Sequence, residues 1–187
     1  MTIDTEMFDD PVEPDEAYFD DAPDGKRGFD ARLLQEPLTL LPSRSPLVFD
    51  ESAFVKDAMQ AMQRRHRGCV VISEDGTPSS RLIGIFTERD ILLKVIDCGR
   101  NPATIPLRDV MTVEPETLAL DAKLARALNM MSVGGFRHIP VTDAQGRAAF
   151  IISVRDIVEY LVESFPSEIL NLPPDFGRQP ATERDGA

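Results

Sequence analysis

The sequence has few of the residues that would support a disulfide framework, a metal site or a membrane span. Its 187 residues include two cysteines, and no uncharged apolar stretch reaches the roughly 18 residues that cross a bilayer. Cys69 and Cys98 lack CxxC spacing, which makes a zinc site improbable, and a reducing compartment disfavours a disulfide between them. We therefore expect both thiols to pack or to stay inert, and we expect no membrane span.

Motifs of catalysis are also absent from the sequence. It contains no G-x-S-x-G elbow, no Walker loop and no GxGxxG turn. His66 and His138 are isolated from each other and have no carboxylate at the spacing of a metal site, so we expect neither to bind a metal. These absences favour a protein that is not an enzyme.

Basic residues are missing from the N-terminal region. Residues 1–25 contain ten acids and no Lys or Arg, which leaves a formal charge of about −2 on the rest of a chain whose net charge is −12. We predict that residues 1–33 form an acidic, disordered leader, because such a composition cannot bury enough apolar surface to offset its ordering entropy. The alternative is a docking segment for a basic partner, anchored by Phe8, Tyr18 and Phe19.

The same charge distribution bears on partners and on localisation. We expect no binding to DNA or RNA, since phosphate contacts need a basic surface. The acidic N-terminus also lacks the basic region and the apolar run of a secretory signal, so we expect a cytoplasmic protein.

An internal repeat organises the rest of the chain. Residues 48–62 align with residues 117–131 at an offset of 69. Apolar side chains recur at i, i+3, i+4 and i+7 in both segments, which predicts an amphipathic helix in each. The apolar positions are Val55, Ala58, Met59 and Met62 in the first segment and Leu124, Ala127, Leu128 and Met131 in the second.

Each predicted helix is followed by two short strands and a second helix. Turns that contain Gly76 and Gly146 separate the strands, and glycine supplies the positive φ that tight hairpins often need. The first hairpin is three residues longer than the second, and an insertion of this length in a loop costs little free energy. The first strands are residues 69–72 and 138–141, the second strands are residues 82–86 and 148–152, and the closing helices begin at Thr87 and Ser153.

This order of elements predicts an α+β fold made of two repeats, each with the order strand-helix-strand-strand-helix. A repeat of about 65 residues buries too little apolar surface to be stable alone, so we expect the repeats to pack as a pseudo-twofold pair. Clefts where the repeats meet would be the favoured ligand sites. The predicted boundaries are residues 34–102 for the first repeat and its linker, residues 103–168 for the second repeat, and residues 169–187 for a short irregular tail.

The ends of the two repeats resemble a known family. Residues 84–90, Gly-Ile-Phe-Thr-Glu-Arg-Asp, and residues 150–156, Phe-Ile-Ile-Ser-Val-Arg-Asp, are similar to the end of the CBS repeat, named for cystathionine β-synthase. Residues 136–141 resemble the strand that opens the repeat, and residues 109–112 resemble the segment that introduces it. The similarity extends over about residues 34–165.

The resemblance implies a stand-alone Bateman module, which is a tandem pair of CBS domains. Similar modules typically bind AMP, ADP, ATP or S-adenosylmethionine as a regulatory ligand, and whether Mg²⁺ accompanies it stays open. They regulate a partner, which here would be a separate protein because the chain carries no catalytic domain. Similar CBS pairs usually form a homodimer, which we also expect here. The alternative is a dimerisation or interaction scaffold that keeps the fold and binds no nucleotide.

The resemblance also assigns roles to residues at the two strand-to-helix turns. In similar CBS proteins, the positions of Thr87, Asp90, Ser153 and Asp156 bind the ribose and phosphate of a nucleotide. The alternative is structural, because a Ser or Thr three residues before an acid at a helix start is typical of a capping box. The two roles are compatible for the hydroxyl groups.

Basic residues at the start of one strand are further candidates. Similarly placed residues in nucleotide-binding CBS proteins reach phosphate oxygens, which implies that role for Arg137 and His138. The alternative is a surface Arg and a partly buried His. The first repeat has Gly68 and Cys69 at these positions, so we expect unequal clefts, with occupancy of one or both left open. A basic cluster that could compensate precedes Gly68, namely Arg64, Arg65, His66 and Arg67.

Apolar residues beside the same turns are candidates for the walls of an adenine site. Ile85 and Phe86 precede the first turn, and Ile151 and Ile152 precede the second. The alternative is that all four belong to the core, where such residues are usually found.

Overall fold

The computed structural model describes residues 31–165 of the chain. The predicted acidic leader, its alternative docking role and the predicted irregular tail fall almost wholly outside these residues. The predicted boundaries between leader, repeats and tail stay predictions.

The first repeat has the predicted order of strand, helix, strand, strand and helix. The closing helix begins at Glu88, one residue after the predicted Thr87, which is its N-cap. It widens into a π-helix after its first turn, which the apolar pattern of the sequence does not indicate. The elements are β1 (Val48–Phe49), α1 (Val55–Arg65), β2 (Cys69–Ser73), β3 (Leu82–Thr87), α2 (Glu88–Asp90) and the π-helix Ile91–Ile96.

The second repeat has the same order and ends in a regular α-helix. Its elements are β5 (Leu118–Ala119), α3 (Leu124–Gly134), β6 (His138–Thr142), β7 (Ala148–Ser153) and α4 (Val154–Ser164). A further strand, β4 (Thr112–Val113), lies between the repeats, and 3₁₀ turns are formed by Ala31–Gln35, Leu38–Leu40 and Leu107–Asp109.

Each repeat contains a small sheet with the same pairing. The first strand is parallel to the second, and the second is antiparallel to the third, in both β1-β2-β3 and β5-β6-β7. The antiparallel register breaks between Ile72 and Ser73 in one repeat and between Val141 and Thr142 in the other, which are equivalent positions. The duplicated pairing confirms the predicted α+β fold of two repeats.

Strand β4 extends the first sheet by pairing with β3. The pairing brings Met111 very close to Gly84, where a Cβ atom would lie 2.6 Å from the methionine sulfur. Glycine is therefore needed at position 84 because the side chain of Met111 approaches closely, and not because of an unusual φ angle.

Several local predictions are confirmed. Gly76 and Gly146 have φ angles of +77° and +75°, as the hairpin turns require. All the predicted apolar positions of α1 and α3 face the two cores, where Met59, Leu128 and Met131 are half-buried, and Met130 is an additional buried residue. The residues of these faces that are buried as predicted are Val55, Ala58, Met62, Leu124 and Ala127.

The segments that precede the two repeats are exchanged between the two cores. Leu38 and Leu41 pack in the core of the second repeat, whereas Leu107 and Val110 pack in the core of the first. The backbone N–H of Leu38 donates to the carbonyl of Ala122 at 3.2 Å, and the equivalent N–H of Leu107 donates to Ala53 at 2.8 Å. Each pair is 69 residues apart, so the exchange follows the pseudo-twofold symmetry of the repeats.

Both cysteines are free thiols, with Cys69 buried and Cys98 exposed. Among residues 31–165, no helix is both long enough and apolar enough to cross a membrane.

Candidate functional site

The strand-to-helix turn of the first repeat is a complete capping box. The N–H and the hydroxyl of Thr87 donate to Oδ2 of Asp90 at 2.8 and 2.7 Å, and the hydroxyl accepts from the N–H of Asp90 at 3.4 Å. Asp90 is 8% exposed. The turn therefore fixes one carboxylate oxygen in a nearly buried position and leaves the other oxygen, Oδ1, to outside partners.

The equivalent turn of the second repeat has the same geometry. The N–H and hydroxyl of Ser153 each donate to Oδ2 of Asp156 at 2.7 Å, and the hydroxyl accepts from the N–H of Asp156 at 3.3 Å. Asp156 is 6% exposed. The capping role predicted as the alternative is thus confirmed in both repeats, and the ligand role of these residues stays a prediction.

The free oxygen of each carboxylate faces a different cation. Oδ1 of Asp90 is 2.7 Å from Nζ of Lys94, which also donates to the carbonyl of Val110 at 2.9 Å. Oδ1 of Asp156 is 4.0 Å from Nε of Arg44, which is beyond hydrogen-bonding distance, and Arg44 lies also 3.5 Å from Glu159. Asp156 is consequently the carboxylate with an oxygen still available to a ligand hydroxyl.

Two clefts lie where the repeats meet, and each combines the capping turn of one repeat with the helix-to-strand junction of the other. We call them the large cleft and the small cleft, with volumes of about 800 Å³ and about 230 Å³. The large cleft is lined by Ile151, Ser153 and Asp156 together with the α1–β2 junction. The small cleft is lined by Ile85, Thr87 and Asp90 together with the α3–β6 junction.

The crosswise combination was not apparent in the sequence. It separates the predicted site residues into two groups and places Arg137 and His138 in the wall that both clefts share, with Glu88. Arg44, Lys56 and Leu47 of the large cleft were missed. Leu47 and Glu116 are equivalent by the offset of 69 and line the large and the small cleft respectively.

Gly68 allows the ring of His138 to enter the wall of the large cleft. A Cβ atom at Gly68 would lie 2.7 Å from Cε1 and Nε2 of that ring. Burial lowers the pKa of His138 from its usual value, against the opposing charges of Glu88 and Asp156. The half-buried ring therefore favours the neutral form.

The basic cluster before Gly68 divides between the large cleft and the solvent. Arg67 and His66 line the large cleft, whereas Arg64 donates to the side chain of Gln60 on the exposed face of α1 at 3.5 Å. The large cleft thus contains a cation from the first repeat, although Gly68 and Cys69 offer none.

The apolar candidates also divide into two roles. Ile85 and Ile151 line the small and the large cleft respectively. Phe86 and Ile152 belong to the two hydrophobic cores, as the alternative prediction had it.

Cys69 is part of the wall of the large cleft but has no reactive thiolate at neutral pH. Burial raises the pKa of its thiol to about 12, because the charged form loses hydration. Among the described residues, no group of three or more His, Cys, Asp or Glu side chains is placed to hold a metal ion.

Two α+β repeats that exchange their introductory segments and meet at two clefts define a tandem-repeat module. The chain belongs to the CBS domain family, whose model matches residues 39–97 and 107–163.

Curated relatives match this chain over part of their length. The chain is 33% identical over 120 residues to the CBS domain-containing protein CBSX3, mitochondrial, of Arabidopsis thaliana. The aligned region covers 63% of this chain and 57% of that protein. The chain is also 33% identical over 103 residues to an uncharacterized protein of Methanopyrus kandleri, covering 54% of this chain and 50% of the other. The chain therefore spans about half the length of these relatives.

Solved structures share the fold at lower sequence identity. A conserved protein from Pyrococcus horikoshii has a TM-score of 0.62 at 24% identity and covers 68% of this chain and 93% of its own. A CBS domain protein from Pyrobaculum aerophilum complexed with AMP has a TM-score of 0.56 at 21% identity, covering 71% and 95%. The CBS domain pair of protein MJ0100, in complex with 5′-methylthioadenosine and S-adenosyl-L-methionine, has a TM-score of 0.56 at 20% identity, covering 64% and 93%.

Proposed function

We propose that this chain is a regulatory module, not an enzyme. It binds an adenosine ligand between its repeats, and the ligand-bound state alters a separate partner protein. The main support for the proposal is the large cleft, where Asp156 is nearly buried and its Oδ1 makes no hydrogen bond to any residue among 31–165. A buried carboxylate at the base of a cleft suits the paired hydroxyls of a ribose.

Other walls of the large cleft suit the remaining parts of such a ligand. Ile151 supplies an apolar surface for adenine, and Arg137 supplies a guanidinium for phosphate. The volume of about 800 Å³ falls within the range of roughly 300–1,000 Å³ that is usual for small-molecule sites. The complexes of related folds with AMP and with S-adenosyl-L-methionine support the ligand class.

In this proposal the small cleft has a lesser role. Thr87, Asp90 and Ile85 would receive a second adenosine ligand there, but Lys94 already neutralises Oδ1 of Asp90. The volume of about 230 Å³ is also below the usual range.

The experiment that tests the proposal is a thermal-shift panel of AMP, ADP, ATP, S-adenosylmethionine, NAD and GTP, with and without Mg²⁺. A ligand at 100 times its dissociation constant adds about 2.7 kcal/mol to the free energy of unfolding, which raises Tm by several degrees in a protein of this size. We expect a selective shift with an adenosine compound. A flat panel, on protein freed of copurified nucleotide, would contradict the proposal.

A flat panel would favour an interaction scaffold, and one observation supports that second candidate. In both capping boxes the hydroxyl and the carboxylate side chains accept from backbone N–H groups of the turn, which gives Thr87, Asp90, Ser153 and Asp156 a structural role.

We also propose that the module forms a homodimer through its closing helices. Leu92, Leu93 and Ile96 on the π-helix are each more than half exposed, and Val158 on α4 is about half exposed. Exposure of these four apolar side chains on the closing helices is unfavourable in water, so we expect a second copy of the chain to cover them.

Light scattering coupled to size-exclusion chromatography tests the dimer. We expect the wild-type mass to be twice that of the chain and the Leu93→Glu variant to be monomeric. Val133→Glu is the matched control, because Val133 is 80% exposed on α3, which is not a closing helix. A monomeric wild type, or an unchanged Leu93→Glu dimer, would contradict this interface.

A further inference from the structure

The two clefts differ in the charge of their walls. Five Arg or Lys residues and two acids line the large cleft, whereas two Arg residues and three acids line the small cleft. Both clefts share Arg137 and Glu88, so the difference arises from the residues that are not shared. The acids of the small cleft are Glu88, Asp90 and Glu116.

The cations of the large cleft fall into two groups. Arg44 and Arg155 are each ion-paired with Glu159, at 3.5 and 2.8 Å. Lys56, Arg67 and Arg137 make no side-chain hydrogen bond or ion pair with any residue of the described part of the chain. Three cations without counter-ions therefore line one cavity.

Unpaired cations around a concave site raise the local positive potential and attract anions. They come from one helix and two loops, since Lys56 lies on α1, Arg67 follows its C-terminus, and Arg137 precedes β6. A single phosphate cannot contact cations spread over such a surface as well as a chain of phosphates can, because each phosphate adds a charge and further acceptor oxygens.

We propose that the large cleft takes a ligand with two or more linked phosphates, that is, a nucleoside diphosphate or triphosphate, and that the small cleft does not. This inference rests on the proposed function for the adenosine end of the ligand. The phosphate chain lies toward Lys56 and Arg67, and the ribose lies at Asp156. The unshared Glu116 of the small cleft repels the same phosphate chain, and Arg89 is the one unshared Arg or Lys among its described lining residues.

Isothermal titration calorimetry with adenosine, AMP, ADP and ATP tests the inference on the full chain without Mg²⁺. We expect affinity to rise by about tenfold or more from AMP to the better of ADP and ATP, with one strong site per chain. In a Lys56→Gln/Arg67→Gln double variant this preference falls to about threefold or less, while adenosine binds as in the wild type.

Two Arg variants serve as controls for location. Arg89→Gln removes a cation of the small cleft, and Arg126→Gln removes an exposed cation of α3. Both variants should keep the wild-type preference. Equal affinity for AMP, ADP and ATP in the wild type, or a preference lost in Arg89→Gln but kept in the double variant, would overturn the inference.

Inorganic tripolyphosphate separates failure of this inference from failure of the proposed function. If no adenosine compound binds, the proposed function fails. Binding of tripolyphosphate to the wild type that is lost in the double variant then still supports a polyphosphate site. Absence of tripolyphosphate binding as well would overturn the inference.

Discussion

Asp90 and Asp156 occupy equivalent positions in identical capping boxes, yet their surroundings differ at a single oxygen. Lys94 binds Oδ1 of Asp90 at 2.7 Å from within the same closing helix, whereas Arg44 approaches Oδ1 of Asp156 only to 4.0 Å. The motif Ser/Thr-x-x-Asp predicted both turns, because the capping geometry is local. The second partner of each carboxylate comes from other contacts and could not be predicted from the motif.

The burial of His138 makes the free energy of unfolding depend on pH. Burial lowers its pKa below the ordinary value of 6.5, so the unfolded chain binds a proton more readily than the folded chain. The free energy of unfolding therefore falls as pH decreases through about 6.5, and this contribution levels off below the folded pKa. Glu88 and Asp156 oppose the lowering, and Arg137 adds to it.

Urea denaturation of ligand-free protein at about pH 7.5 and about pH 5 measures this effect. Between about pH 7.5 and about pH 5, we expect the free energy of unfolding to fall less in His138→Gln than in the wild type. The carboxylates contribute equally in the two proteins, so the difference reports the protonation of His138. The control is His66→Gln, since His66 is exposed and should keep the wild-type loss. An equal loss in His138→Gln and in the wild type would contradict the role of burial.

The elements of the fold were predictable where a repeating pattern specifies them. The apolar periodicity located α1 and α3, and the hairpin glycines located the turns between the strands. The π-helix was not predictable, because its residues Ile91–Ile96 have an apolar pattern that suits an ordinary helix. Met130 joins Met131 against the second core, which the i, i+3, i+4, i+7 pattern did not indicate.

The capping box at the start of α4 stabilises the protein. Ser153→Ala removes the acceptor for the N–H of Asp156 and one donor to its carboxylate. We expect a loss of about 0.5–2 kcal/mol in the free energy of unfolding, measured by urea denaturation. Ser132→Ala, at an exposed position of α3, is the control and should change stability by less than about 0.5 kcal/mol. Equal effects of the two substitutions would show that the capping box contributes nothing to stability.

At the scale of the whole molecule, the exchange of introductory segments joins the two repeats. Leu38 completes the core of the second repeat, although the sequence places it before the first. Sequence reasoning predicted that neither repeat is stable alone, but the exchange has no local pattern and was missed. The crosswise clefts have the same origin, because each is built from elements distant in the sequence.

Two leucines of one 3₁₀ turn test this exchange. Leu38 is fully buried and Leu40 is 55% exposed, so Leu38→Ala leaves a cavity and Leu40→Ala does not. We expect Leu38→Ala to lower the free energy of unfolding by about 2–5 kcal/mol and Leu40→Ala by less than about 1 kcal/mol. Similar small losses in both variants, measured by urea denaturation, would contradict the packing of this segment in the second core.

In the proposed function, an adenosine ligand binds in the large cleft through Asp156. The most direct measurement is the calorimetric affinity of the nucleotide with the largest thermal shift for the wild type, Asp156→Asn and Asp90→Asn. The two capping boxes have the same geometry, so both substitutions alter the same kind of turn and differ in the cleft they affect. Asp90→Asn also removes the ion pair with Lys94, so the folding of both variants is checked by urea denaturation. We predict that Asp156→Asn weakens binding by about tenfold or more and that Asp90→Asn weakens it much less. An equal or larger loss in Asp90→Asn, with both variants folded, would contradict the claim.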